Sequence, residues 1–184
     1  VVTSVTRDDL EDGGSGHFCR TVEEIRELAP KAGVEILTPD FRGETCLLEE
    51  VLSAGPHVFN HNVETVRELY PRARPQGDFE RALRVLKTSK RLHPEIVTKS
   101  GLMAGLGETR DQMLDVFQQL RDSQVDILTI GQYLQPRKDL LPVERYYHPD
   151  EFKELEGIAL DMGFRRVFAG PLVRSSYHAE TVRG

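Results

Sequence analysis

Residues 95–108, Glu95 to Glu108, read E-I-V-T-K-S-G-L-M-A-G-L-G-E. Ile96, Val97 and Thr98 are β-branched and predict a short strand. Glycines at 101, 105 and 107 follow, then Thr109 with Gln112 three residues on, the spacing of a capping box that opens a helix. Strand, glycine-bearing loop and capped helix are the parts of a β/α unit. In parallel β/α folds ligands sit at the carboxyl ends of the strands, where this loop is expected. Three glycines beside Lys99 and Glu108 predict a loop that meets a ligand, because glycine lets backbone come close to a bound molecule.

The same unit repeats on both sides. Upstream, Val1 to Thr6 reads as a strand and Arg7 to Gly16 as a polar, glycine-rich loop. Thr21 with Glu24 predicts the start of a helix whose stripe is Val22, Ile25 and Leu28. Val34 to Leu37 reads as the next strand, and Leu47, Leu48, Val51 and Leu52 mark another helix. A third strand, His57 to Phe59, runs out into Asn60-His61-Asn62-Val63-Glu64-Thr65. Its amides, imidazole and carboxylate suit a sugar or an amino-acid head group, while Asn62 is equally a candidate helix cap. A longer helix carries Phe79, Leu83 and Leu86.

Downstream, Met113, Val116, Phe117 and Leu120 form the inner stripe of a helix over 109–122. Val125 to Ile130 predicts a strand leading into Gly131-Gln132-Tyr133-Leu134-Gln135-Pro136, and Pro149 marks a helix start. Arg166 to Ala169 is the last short strand, and the rest is a tail. Alternation of this kind predicts a parallel sheet with helices outside it. Five or six strands without a G-x-G-x-x-G favour part of a β/α barrel over a doubly wound sheet. One domain over residues 1–184 is expected, with 170–184 a tail that closes the active site.

Composition narrows the function. A charged fraction of 29% and a net charge of −6 predict a soluble protein and argue against a general nucleic-acid binder. No apolar run approaches the roughly 20 residues of a membrane span, and no signal peptide is visible, so a cytoplasmic setting is expected. The two cysteines, Cys19 and Cys46, form no C-x-x-C pair and predict neither a disulfide framework nor a zinc site. The chain opens directly on a strand without an initiator methionine, which predicts an excerpt of a longer protein.

Several stretches together resemble the lipoyl synthases of the radical S-adenosylmethionine superfamily. They are V-V-T-S-V-T-R-D-D-L-E-D-G-G at the start, F-N-H-N-V-E-T at 59–65, and T-K-S-G-L-M-A-G-L-G-E at 98–108. They continue with L-T-I-G-Q-Y-L-Q-P at 128–136, L-P-V-E-R-Y at 141–146 and G-P-L-V-R-S-S-Y-H-A at 170–179. The resemblance implies a partial (β/α)6 TIM-type barrel, from roughly the second strand onward. It implies insertion of two sulfur atoms at C6 and C8 of an octanoyl chain held on a lysine of a lipoyl carrier domain or glycine cleavage H protein. The family uses S-adenosylmethionine and two four-iron four-sulfur clusters. A 5′-deoxyadenosyl radical abstracts hydrogen, and the auxiliary cluster donates sulfur.

The resemblance also implies residue roles. Ser4, Arg7 and Asp8 would meet the amino-acid end of S-adenosylmethionine. Asn60, Asn62 and Glu64 would take its ribose and carboxylate, and Gly101, Met103, Gly105 and Glu108 would flank its adenine. Gln132 would complete that site. Lys99 and Arg174 would contact substrate, and Ser175, or alternatively Ser176, would ligate the auxiliary cluster. The family's cluster motifs, C-x3-C-x2-C and C-x4-C-x5-C, do not occur in these residues. The chain alone is therefore expected to hold neither cluster. Two further readings stay open: a non-catalytic module that binds S-adenosylmethionine or the carrier, and an unrelated barrel enzyme using Lys99 as a Schiff-base amine.

Overall fold

The computed structural model describes residues 1–179. Six strands form one parallel sheet in chain order: β1 Val2–Thr3, β2 Glu35–Leu37, β3 Val58–Asn60, β4 Val97–Ala104, β5 Ile127–Gln132 and β6 Arg166–Gly170. The helices between them are α1 Ser15–Leu28, α2 Thr45–Ser53, α3 Tyr70–Ala73, α4 Phe79–Leu92, α5 Arg110–Asp122 and α6 Pro149–Asp161. Strict chain order means that every crossover moves to the next neighbour. That is the winding of a β/α barrel, and it is the α/β architecture expected from the alternation.

The two faces of the sheet differ. On one, Leu102, Ala104, Leu128 and Ile130 join the main core with Met113, Phe117 and Phe152 from the helices. On the other, Val58 and Ile127 pack with Val97 and Phe168 in a small separate cluster. Strand side chains alternate faces, so Lys99, Gly101 and Met103 share the inner face with this cluster. Register aligns Leu37, Asn60, Lys99, Ile127 and Arg166 across β2 to β6, with Gly101, Thr129 and Phe168 two residues further along β4 to β6.

Local chemistry departs from the sequence expectation in three places. The first helix begins at Ser15, not at Thr21, whose hydroxyl donates to His17 O at 2.7 Å from inside the helix. Asp12 takes the orphan amides instead, accepting from Gly14 N at 2.9 Å and Gly16 N at 3.2 Å, and these bonds hold its carboxyl below the usual range. The opening strand keeps only Val2 and Thr3. Strand β4 is longer than the β-branched run: it continues through Gly101 to Ala104, paired with β5 from Lys99 onward. The glycine loop thus starts at Gly105. Thr109 and Gln112 do form the capping box of α5, and His148 with Glu151 forms another for α6. No helix among the described residues is long and apolar enough to cross a membrane.

Candidate functional site

Beyond β3 the chain turns alongside β4. Glu64 N donates to Gly101 O at 3.0 Å and Met103 N donates to Glu64 O at 2.8 Å, an isolated parallel bridge. Glu64 takes a φ of 66° there, in the left-handed region that a non-glycine residue seldom adopts without compensation. Asn62 therefore caps no helix. It is held against the carboxyl end of β4 and borders a cavity of about 480 Å³. The volume suits a small-molecule ligand.

Two glycines let the wall of this cavity pack closely. A Cβ on Gly101 would collide with Thr129 Oγ1 and lie 3.1 Å from Asn62 Oδ1. A Cβ on Gly131 would collide with the backbone oxygen of Val173. The second glycine lets the tail lie against the end of β5, which brings Arg174 and Ser175 to the cavity wall. The tail is also turned on itself, with Tyr177 N donating to Arg174 O at 2.9 Å and the Tyr177 ring 6.1 Å from that of Phe168.

The polar chemistry of the wall is incomplete. The Asn62 side chain hydrogen-bonds the Glu64 carboxyl, yet Asn62 Oδ1 is buried and has no hydrogen-bond partner. A buried acceptor left unpaired costs about 1–3 kcal/mol, and this oxygen lies within the cavity wall, close against Gly101. Burial pushes the Glu64 carboxyl above its ordinary range, opposed by Arg74 and by the Asn62 bond. A cationic ligand would favour its ionised form.

One layer beneath, the inner face is occupied. Lys99 Nζ donates to Glu35 Oε1 at 3.0 Å and Oε2 at 3.2 Å, and Asn60 Nδ2 donates to the same Oε1 at 3.0 Å. Lys99 and Asn60 are 0% exposed and Glu35 5%, so no ligand in the cavity sees an uncommitted amine. A Schiff-base amine must be neutral and reach a carbonyl, and this ammonium is sealed against a carboxylate. Asn60 keeps one unpaired oxygen, Oδ1.

Gly105, Glu108 and Gln132 hold loops in place. The Glu108 carboxylate accepts from Gly105 N at 2.6 Å and Leu106 N at 2.9 Å. Gln132 Nε2 donates to Arg145 O at 3.0 Å and its Oε1 accepts from Tyr147 N at 3.0 Å. Gln132 borders the cavity, but its amide is committed to the 133–148 connection. Gly105, at φ 107°, leaves room for that amide and for Arg145 O.

Of the other expected site residues, Asn62, Glu64, Gly101, Met103, Arg174 and Ser175 share the cavity wall, whereas Ser176 is exposed and outside it. Ser4, Arg7 and Asp8 lie near β1, at the far edge of the sheet. Ser4 and Arg7 border a separate hollow of about 190 Å³ with Val2 and Phe18, and Arg7 is ion-paired to Asp9 at 2.7 Å. His61 is buried, with Nδ1 2.9 Å from Thr38 O, and burial lowers its pKa. Cys19 lies on α1 with its thiol pushed up to about 11 by burial, and Cys46 is exposed at the start of α2.

Sequence reasoning did not single out Glu35, Thr129, Tyr133 or Val173. Parity along β5 would have found Thr129, which alternates onto the same face as Gly131. Nothing local marks Glu35 as the partner of a lysine 64 residues away.

Comparison with known proteins supports this frame. The chain is 55% identical over 181 residues to a lipoyl synthase of Burkholderia mallei strain SAVP1, covering 98% of this chain and 55% of that protein. It is 53% identical over 180 residues to a lipoyl synthase of Caldicellulosiruptor saccharolyticus, covering 98% of this chain and 63% of that protein. The chain thus spans little more than half the length of the curated relatives it matches. The crystal structure of methylornithine synthase superposes with a TM-score of 0.60 at 14% identity, over 83% of this chain and 51% of that one, which supports the shared fold alone. Residues 1–120 match the radical SAM superfamily model. That match takes in β1 through β4, with Asn62, Glu64, Gly101 and Met103 of the cavity wall, and it makes this chain a member of the radical SAM superfamily.

Proposed function

We propose that this chain is the S-adenosylmethionine-binding and substrate-facing part of a lipoyl synthase. The complete enzyme would insert two sulfur atoms at C6 and C8 of an octanoyl-lysine on a lipoyl carrier domain or glycine cleavage H protein, in the cytoplasm. The observation that carries the reading is a cavity at the carboxyl ends of β4 and β5 whose wall brings together Asn62, Glu64, Met103, Arg174 and Ser175. The identity to lipoyl synthases across nearly the whole chain supports it.

S-adenosylmethionine fits these residues. Its ribose hydroxyls and ammonium are donors that match the Glu64 carboxylate and, once its side chain turns to the cavity, Asn62 Oδ1. Bound and reduced by one electron, the cosubstrate supplies the hydrogen-abstracting species. The chain's own residues orient it: Asn62 accepts, Glu64 becomes ionised beside the cation, and the tail from Val173 to Ser175 limits access of water.

An iron–sulfur cluster does not fit the described residues by themselves. Cys19 and Cys46 lie apart from the cavity wall, and no three His, Cys, Asp or Glu side chains gather as a metal-binding group among the described residues. For a cluster held by other ligands, Ser175 stands at the wall and Ser176 does not. This supports Ser175 as the serine that would reach it. A second reading is a module that binds S-adenosylmethionine or the carrier without chemistry.

The test is anaerobic reconstitution of the full-length protein with iron and sulfide, followed by assay of 5′-deoxyadenosine and lipoyl product on an octanoylated carrier. Both products are expected. Saturable S-adenosylmethionine binding without cleavage would overturn the catalytic reading in favour of the second one.

A further inference from the structure

Between the end of β3 and the Glu64 bridge the parallel ladder slips by one residue. Asn60 pairs with Lys99, and Glu64 pairs with Leu102. The outgoing chain thus takes four steps where β4 takes three, and the extra residue is a β-bulge. Bulges are rare between parallel strands, gather beside active sites and re-aim the side chains that follow them.

Val63 is the residue that the ladder passes over. His61 N donates to Lys99 O at 3.1 Å, as regular pairing requires. The next amide in step, that of Val63, would then bond Gly101 O, but Glu64 N takes that oxygen at 3.0 Å. Val63 N donates instead to the hydroxyl of Ser100 at 3.3 Å. Val63 O accepts from Tyr70 OH at 2.6 Å and from Thr65 N at 2.8 Å. Val63, Ser100 and Tyr70 are all buried, so the two hydroxyls replace partners that the sheet no longer supplies. Burial pushes the Tyr70 phenol up to about 12, which keeps it a donor, and its ring stands edge-on to Phe79 at 5.4 Å.

The slip sets the wall of the cavity. It moves Glu64 back by one residue along β4 and turns it to a φ of 66°, the conformation in which Asn62 and Glu64 both border the cavity. A left-handed glutamate persists only where its surroundings over-determine it. We propose that Ser100 and Tyr70 are positioning residues for the cosubstrate: by holding the bulged Val63 from both of its polar ends they present Asn62 and Glu64 to the cavity, which neither hydroxyl borders. The assignment rests on the lipoyl synthase reading above.

The test compares Ser100→Ala and Tyr70→Phe in the full-length protein with Ser89→Ala. Ser89 is a buried hydroxyl on α4 that donates to Leu86 O at 2.8 Å, so its variant reports what losing such a bond does away from the cavity. Equilibrium dialysis should show S-adenosylmethionine bound roughly tenfold more weakly by each of the first two variants and with unchanged affinity by the third. Hydrogen exchange read by mass spectrometry should quicken over residues 61–66 in the first two alone. Should Ser100→Ala not fold, Tyr70→Phe, which keeps the ring and its Phe79 contact, carries the test. Affinity that these variants leave intact, or lower no more than Ser89→Ala does, overturns the positioning role and leaves the lipoyl synthase reading standing. A parent protein that binds no S-adenosylmethionine overturns that reading and the positioning role with it.

Discussion

Two successive layers inside the sheet's inner face use similar residues to opposite ends. In the lower layer Lys99, Glu35 and Asn60 bind one another, and the ion pair is sealed from solvent. In the upper layer Asn62 and Glu64 border a cavity, and the fold leaves Asn62 Oδ1 without a partner. The difference teaches where to look for ligand chemistry. A polar group whose partners are all supplied by the fold holds the fold together, and one whose partner is missing is available to a ligand. Asn60 shows the limit of the rule: it too has an unpaired oxygen, but in a layer without a cavity at its side chain.

The largest effect should come from breaking the lower layer. Lys99→Met leaves Glu35 buried without its counter-charge, a loss expected at about 3–5 kcal/mol, and adding Glu35→Leu should restore most of it. Urea unfolding of the single and double variants measures this. A loss under about 1 kcal/mol in the single variant would mean that water already reaches the pair.

Next in size is a methyl group in the upper layer. Gly101→Ala meets Thr129 Oγ1 and should cost about 1–3 kcal/mol, with loss of S-adenosylmethionine binding. Gly157→Ala, on α6 with nothing near its added carbon, should instead stabilise by about 0.5–1 kcal/mol. Melting curves of the two variants should move in opposite directions, and a shared direction would contradict the packing argument.

Asn62→Leu separates function from stability. It removes an acceptor that the fold leaves unpaired but also the amide that bonds the Glu64 carboxyl, so the loss of unfolding free energy should stay within about 1–3 kcal/mol. Affinity for S-adenosylmethionine, followed by equilibrium dialysis, should fall about tenfold or more. Unchanged affinity would remove Asn62 from the site.

The smallest effect is a slope. The folded-state pKa of Glu64 is raised above its ordinary value of 4.5 by burial. The folded protein therefore binds the more protons, and this carboxyl contributes its full stability below pH 4.5 and loses it as pH rises through the folded value. The stability of the parent relative to Glu64→Gln should decline across that window. A difference flat from about pH 4 to 8 would show that Glu64 is solvated.

Much of the frame was legible because it is written locally. The buried stripe of α5, its Thr109–Gln112 box, the six apolar strand segments and the strand-helix alternation all follow from spacing within a dozen residues. The cavity residues of the Asn60–Thr65 segment and of Gly101 to Met103 could be placed at strand ends for the same reason. Even there, local propensity ended β4 too early, because pairing with β5 carries Gly101 and Met103 as strand.

What the sequence by itself determined is the order of elements and which strand ends carry polar or glycine residues, since both arise from short-range periodicity and capping. Tertiary structure alone decided which of those polar groups remain available. Parallel register set Lys99 and Asn60 against Glu35, the 133–148 connection claimed the Gln132 amide, and chain order put Ser4, Arg7 and Asp8 at the far edge of the sheet. The physical reason is that a hydrogen bond is satisfied by whatever atom lies about 3 Å away, and across a parallel sheet that atom belongs to a residue tens of positions distant.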